Sequence, residues 1–144
     1  GHASAVLRPE EQRLDGLHVL LVEDNEINQE IAKELLLMEG ASVDVADNGE
    51  QALDIFARSE EGYYQLVLMD IQMPVMDGYT ATAALRSLRR DDAKTAIILA
   101  MTANVFSDDV IKAEASGMNG HISKPFDPDR LYAMIAASCH RKRG

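Results

Sequence analysis

The chain has 144 residues, 47% of them hydrophobic, with 24 acidic side chains against 14 basic ones and a formal charge of −10. That length and apolar content suit a single domain with its own core, and the acidic balance argues against a phosphate-backbone binder, the only basic cluster being Arg141-Lys142-Arg143. No apolar run approaches the roughly 20 residues a bilayer span needs and nothing resembles a secretory leader, so no membrane contact is expected; the single cysteine, Cys139, permits neither an internal disulfide nor a cysteine metal site and is compatible with a cytoplasmic setting.

Residues 1–15 lack apolar periodicity, contain Pro9 and open Gly-His-Ala-Ser as a cloning remnant does, so they are read as tag or linker on a segment taken from a longer protein. The domain is expected at 16–140, with 141–144 as a tail. His18–Val22 is a first strand, followed by a helix over about Asn25–Glu39 whose Ile27, Ile31, Leu35 and Met38 are read as the inward face, with Gly40 as its stop. Ser42–Ala46 alternates polar and apolar, the mark of an edge strand. Asn48 with Gln51 resembles a capping box for a helix to about Arg58 that turns Ile55 and Phe56 inward. Leu66–Asp70 and Ala96–Thr102 are apolar runs suited to central strands covered on both faces. Between them come a loop with Pro74 and Gly78 and a helix to about Arg89 carrying Ala81, Leu85 and Leu88. Ser107 is placed to cap a fourth helix ending at Gly117, and Gly120–Ser123 is a short fifth strand. Asp127-Pro128 opens a last helix to about His140, with Phe126 placed to staple against Leu131.

Strands alternating with helices predict an α/β fold of the flavodoxin-like (βα)5 type: a doubly wound parallel sheet in the order 2-1-3-4-5. In such a sheet the ligand crevice lies beyond the carboxyl ends of the strands. The residues there are Glu23 and Asp24 after the first strand, Asp70 at the end of the third, Thr102 after the fourth and Lys124 after the fifth. Three clustered carboxylates raise one another's pKa and call for a cation. Oxygen ligands without His or Cys favour Mg²⁺ or Mn²⁺, which pairs naturally with phosphate oxygens. A carboxylate is also a competent nucleophile toward phosphorus, and Asp70 is the central one. Lys124 and Thr102 then suit charge compensation and hydrogen bonding to a phosphoryl group. Seen alone, each of these residues has an ordinary structural explanation; their coincidence on one rim does not.

The blocks VLLVEDNEINQ (Val19–Gln29), LVLMDIQMPVMDGYTAT (Leu66–Thr82), MTAN (Met101–Asn104) and HISKPF (His121–Phe126) make the chain resemble the receiver domain of two-component response regulators over about Leu17–Ala137. The resemblance implies that Asp70 is the phosphoacceptor, that Glu23 and Asp24 are the acidic pair, and that the Gln72 backbone carbonyl is a further Mg²⁺ ligand. It implies that Thr102 is the switch hydroxyl and Lys124 the conserved-type lysine, followed by a cis peptide at Pro125. Two positions depart from the usual pattern. The acidic pair is Glu-Asp, which suggests that Glu23 reaches the metal through water. The switch position that often holds an aromatic is His121, whose imidazole can turn in a similar way. Gln72 and Asn104 flank the site and are candidates for tuning the phosphoryl lifetime.

The wording EDNEINQ and DIQMPVMDG resembles receivers of hybrid sensor histidine kinases, whose donor is a histidine kinase or a histidine phosphotransfer domain. The implied function is acceptance of a phosphoryl group and switching of the surface formed by the helix after the fourth strand, the fifth strand and the final helix, with room for a phosphorylation-dependent dimer. No kinase module or DNA-binding segment occurs within the chain, which is expected to be a switch and not a turnover enzyme. A non-phosphorylated scaffold is the alternative; the complete acid, hydroxyl and lysine set argues against it. A metal-dependent phosphatase would want an acid where Gln72 stands, and a P-loop nucleotide binder would need GxxxxGK[ST] after the first strand.

Overall fold

In the computed structural model, residues 14–73, 75–103, 109–124 and 127–143 are described. The elements run β1 (His18–Val22), α1 (Glu26–Met38), β2 (Ser42–Ala46), α2 (Gly49–Arg58), β3 (Leu66–Asp70), α3 (Gly78–Arg86), α4 (Asp92–Thr95), β4 (Ile97–Thr102), α5 (Asp109–Ser116), β5 (Gly120–Ser123) and α6 (Pro128–Arg143). All strand pairs are parallel, in the order β2-β1-β3-β4-β5. The fold is thus the expected flavodoxin-like one, with the alternating β2 at an edge and the wholly buried β3 and β4 inside.

Because successive strand residues point to opposite faces, the sheet divides its apolar side chains between two cores. Leu20, Val22, Val67, Met69 and Ile98 meet Phe56 of α2 and Leu85 of α3 on one face. Val19, Leu21, Leu66, Leu68 and Leu99 meet Leu36 of α1 and Leu131 of α6 on the other. Each fully buried large side chain of this kind contributes about 1.5–3 kcal/mol. Polar pins join the layers. Arg86 donates to the carbonyls of Gly117, Ala93 and Ala96 and to Asn119 Oδ1. Arg90 lies over the Phe56 ring at 5.0 Å, pairs with Asp92 at 2.6 Å, and donates to the Phe56, Ala57 and Ser59 carbonyls at the end of α2.

Several expectations are corrected. The inward residues of α1 are Ala32 and Leu36, supported by Leu35, whereas Ile27 and Met38 are 71% exposed and Ile31 is 49% exposed. The run Leu35-Leu36-Leu37 allows two rotations of the helix, and the small Ala32 lets the sheet-facing side approach closely. Leu14 belongs to the fold: it is buried in the second core, and its N–H donates to the Glu39 carbonyl at the end of α1. Its one apolar side chain is too short a signal to show periodicity. In the α2 cap, Asn48 accepts from Gln51 N–H at 2.9 Å, while Gln51 Oε1 accepts from Asp47 N–H and not from Asn48. Helix α3 ends at Arg86, so Leu88 lies beyond it, and a single turn, α4, stands between α3 and β4 where the sequence marks no element; four residues carry no periodic pattern. Strand β4 begins at Ile97, and α6 continues past His140 to Arg143. The Asp127 cap holds, its Oδ1 accepting from Asp129 N–H at 2.9 Å. Pro74, Asn104, Ser107, Pro125 and Phe126, and the side chain of Cys139, lie outside the described residues.

Candidate functional site

The carboxyl ends of β1, β3, β4 and β5 open on a cleft of about 280 Å³ lined by Glu23, Asp24, Asp70, Gln72, Thr102 and Lys124, among others. Its members come from successive strand ends because parallel strands all point the same way. Asp70 closes β3 and Thr102 closes β4, both buried. Lys124 N–H donates to the Thr102 carbonyl at 2.8 Å, which carries the lysine to the cleft edge.

Lys124 Nζ lies 3.0 Å from Glu23 Oε1 and 3.1 Å from Asp70 Oδ2, bridging two acids that are almost entirely buried. The other oxygen of each acid takes a backbone N–H: Glu23 Oε2 from Asn25 at 3.1 Å, and Asp70 Oδ1 from Gln72 at 3.1 Å. Asp24 is exposed on the rim. Burial pushes the Asp70 carboxyl up to about 6; the Gln72 N–H opposes this, the Glu23 charge reinforces it and Lys124 opposes it. Burial works to lower the Lys124 ammonium, but its bonds to Glu23 and Asp70 prevail and hold it above its ordinary value.

One oxygen from each of Glu23, Asp24 and Asp70 lies within 4.8 Å of the others. This all-oxygen, strongly acidic donor set fits a hard divalent cation such as Mg²⁺, which accepts one or two carboxylates and fills its remaining positions with water or phosphate oxygens. The site residues named from the sequence are therefore brought together, except that His121 stands half-buried on β5 in a separate groove with Arg130 and Met134, and Asn104 is outside the described residues.

Two contributors escape a motif-level reading. Gly78, at the start of α3, packs on the backbone of the Asp70 segment: a Cβ there would fall on the Asp70 carbonyl oxygen and 2.8 Å from Ile71 Cα. Gln29, one turn into α1, donates through its side chain to the Glu23 carbonyl and to Asp47 Oδ1. The Asp-Gly pair hints at the first; nothing but the spacing from Asn25 hints at the second.

Residues 19–136 match the family model described as the response regulator receiver domain. The chain belongs to that family. This receiver is 38% identical over 157 aligned positions to probable histidine kinase 2 of Oryza sativa subsp. indica, covering 99% of the chain but 15% of that protein. It is 42% identical to the transcription factor SKN7 of Candida albicans, covering 83% of the chain and 20% of that protein. The receiver thus spans a fifth or less of these curated relatives. Among solved structures it resembles the receiver domain of the sensor histidine kinase PA1611 of Pseudomonas aeruginosa, solved with a magnesium ion coordinated in the active site cleft: 34% identity, TM-score 0.75, covering 85% of this chain and 96% of that one. It also resembles the receiver domain of the response regulator Ssk1 of Saccharomyces cerevisiae, co-crystallised with the histidine phosphotransfer protein Ypd1: 32% identity, TM-score 0.74, covering 88% and 91%. Among the described residues no helix is long and apolar enough to cross a membrane.

Proposed function

We propose that this receiver accepts a phosphoryl group on Asp70 from a phosphohistidine of a histidine kinase or histidine phosphotransfer domain, with Mg²⁺ held by Asp24, Asp70 and the Gln72 carbonyl and supported by Glu23. The observation that carries the reading is the convergence of three carboxylates within 4.8 Å, with the Lys124 ammonium 3.1 Å from Asp70. An Asp70 carboxylate oxygen forms the new bond to phosphorus while the P–N bond of the donor breaks, its electron pair returning to the imidazole nitrogen. Mg²⁺, when bound, supplies charge neutralisation at the phosphoryl oxygens. Lys124 pairs with one of those oxygens, leaving its contact with Asp70, and Thr102 turns its hydroxyl toward another. The donor docks over the start of α1, where Ile27 is exposed and Ile31 lines a small recess with Asn28, Leu35 and Lys124 beside the cleft.

Movement of Thr102 and Lys124 biases the α5–β5–α6 surface between two arrangements, with His121 as the side chain that turns, and can favour a dimer. Gln72 and Asn104 tune the lifetime of the acyl phosphate. The chain acts as a cytoplasmic switch with slow self-dephosphorylation and without turnover of a free substrate. Its parent protein is a hybrid histidine kinase, a reading supported by the rice relative and by the PA1611 receiver.

The test is intact mass after incubation with Mg²⁺ and acetyl phosphate, beside Asp70→Asn. One added phosphoryl group, absent in the variant and without Mg²⁺, is the expected result. Absence of both the adduct and Mg²⁺ binding would overturn the reading in favour of a non-phosphorylated scaffold.

A further inference from the structure

Glu23 and Asp24 flank one peptide unit just beyond β1, and hydrogen bonds hold both that unit and the one before it. Glu23 N–H donates to the carbonyl of Ala46, the last residue of β2, at 3.0 Å. The Glu23 carbonyl, which belongs to the peptide joining it to Asp24, accepts from the Gln29 carboxamide. The same NH₂ group donates its second hydrogen to Asp47 Oδ1 at 2.9 Å. Asp47 is itself anchored, because its N–H donates to Gln51 Oε1 at 3.0 Å inside the first turn of α2. Gln29 can reach back in this way because Gln29 N–H bonds the carbonyl of Asn25, the N-cap of α1, at 2.9 Å, and helical side chains lean toward the N-terminus. A continuous polar strut therefore runs from α2 through Asp47 and Gln29 to the peptide that carries the acidic pair.

We infer that Gln29 is a positioning residue for the divalent cation: its carboxamide sets the plane of the Glu23–Asp24 peptide, and with it the direction in which Asp24 meets the metal. Glu23 has further anchors in Lys124 and the Asn25 N–H, but Asp24 stands exposed on the rim. Asp24 depends on its backbone for aim. Groups that orient metal ligands from behind typically change affinity about 10–100-fold when removed. The inference rests on the reading that this acidic cluster binds Mg²⁺.

The test is calorimetric titration of the metal-free receiver with Mg²⁺, comparing wild type, Gln29→Ala, Gln29→Glu and Asp24→Asn, with the melting midpoint of each metal-free protein measured alongside. Gln29→Glu keeps the shape but replaces the donor with an acceptor facing the Glu23 carbonyl and Asp47. The expected result is a dissociation constant raised about tenfold in both Gln29 variants, at an unchanged metal-free midpoint in at least one of them. An unchanged dissociation constant in the Gln29 variants, beside loss of binding in Asp24→Asn, overturns the role of Gln29 and leaves the metal site standing. Weakening that appears only in proportion to a lowered metal-free midpoint also overturns it, since Gln29 would then support the fold alone. No binding by wild type removes both the metal reading and the inference.

Discussion

Replacing Arg86 with methionine keeps an unbranched stem against Gly117 and removes a guanidinium whose four bonds, 2.8–3.2 Å long, all end on neutral carbonyl-type oxygens. Burial lowers the pKa of this group, so the charge is held at some expense of hydration. Opposing that expense, hydrogen bonds from a charged donor contribute about 1.5–3 kcal/mol each. Asn119 Oδ1 retains the Ile98 N–H at 2.7 Å when Arg86 is gone, but the Gly117, Ala93 and Ala96 carbonyls lose this donor together. Allowing for the recovered hydration of the guanidinium, the net loss is about 3 kcal/mol, roughly 1 kcal/mol for each of the three carbonyls left without this donor. With a urea slope of about 1.5 kcal/mol/M, the unfolding midpoint falls by about 2 M. Arg86→Lys keeps the charge on a point ammonium that cannot span four acceptors, so it recovers little of the loss. Equilibrium urea unfolding of the three proteins decides the matter. A methionine variant as stable as wild type, or more stable, would refute the reasoning and make the buried guanidinium a net burden.

Gly78→Ala is expected to lower stability by about 2 kcal/mol, because its Cβ meets backbone on both the Asp70 and Ile71 sides and only a shift of the segment relieves the clash; a thermal melt unchanged from wild type would contradict this. Val75 holds φ +71° with its side chain 75% exposed, so Val75→Asn, which tolerates that region, raises stability by about 0.5–1 kcal/mol in the same assay. Burial works to raise the Asp92 carboxyl, but Arg90 and the Gly62 N–H, 2.7 Å away, hold it below its ordinary value. Asp92→Asn therefore loses about 2 kcal/mol at neutral pH. A carboxyl with a lowered native pKa gives its full contribution above the unfolded value, about 3.9, and loses it as pH falls through the native value. The stability gap between wild type and Asp92→Asn, read from urea midpoints, narrows below about pH 4; a gap constant from pH 7 to 3 would contradict the assignment.

The sheet order and the cleft were legible because strand polarity does most of the placing: once five apolar runs are read as parallel strands, the residues at their carboxyl ends must share a rim. Glu23, Asp24, Asp70, Thr102 and Lys124 needed no side-chain detail to be grouped. Helix rotation was less legible, since Ile27, Ile31 and Met38 are as apolar as the residues that won, and choosing between stripes depends on the shape of the sheet underneath. Arg86 and Arg90 were invisible for another reason. They act on main-chain carbonyls distant in sequence, and a carbonyl leaves no trace in residue type. Gln29 escaped in the same way, its principal partner being the Glu23 carbonyl.

The burial of Leu14 has a geometric consequence for the molecule as a moored object. Its N–H is tied to Glu39, where α1 ends, while Asn25 opens that helix beside the cleft. Thirteen helical residues, at 1.5 Å each, set the two ends about 20 Å apart. The backbone thus enters the globule at the pole opposite Asp70. Leu14 and the acidic cleft stand at opposite ends of α1, separated by the height of the sheet.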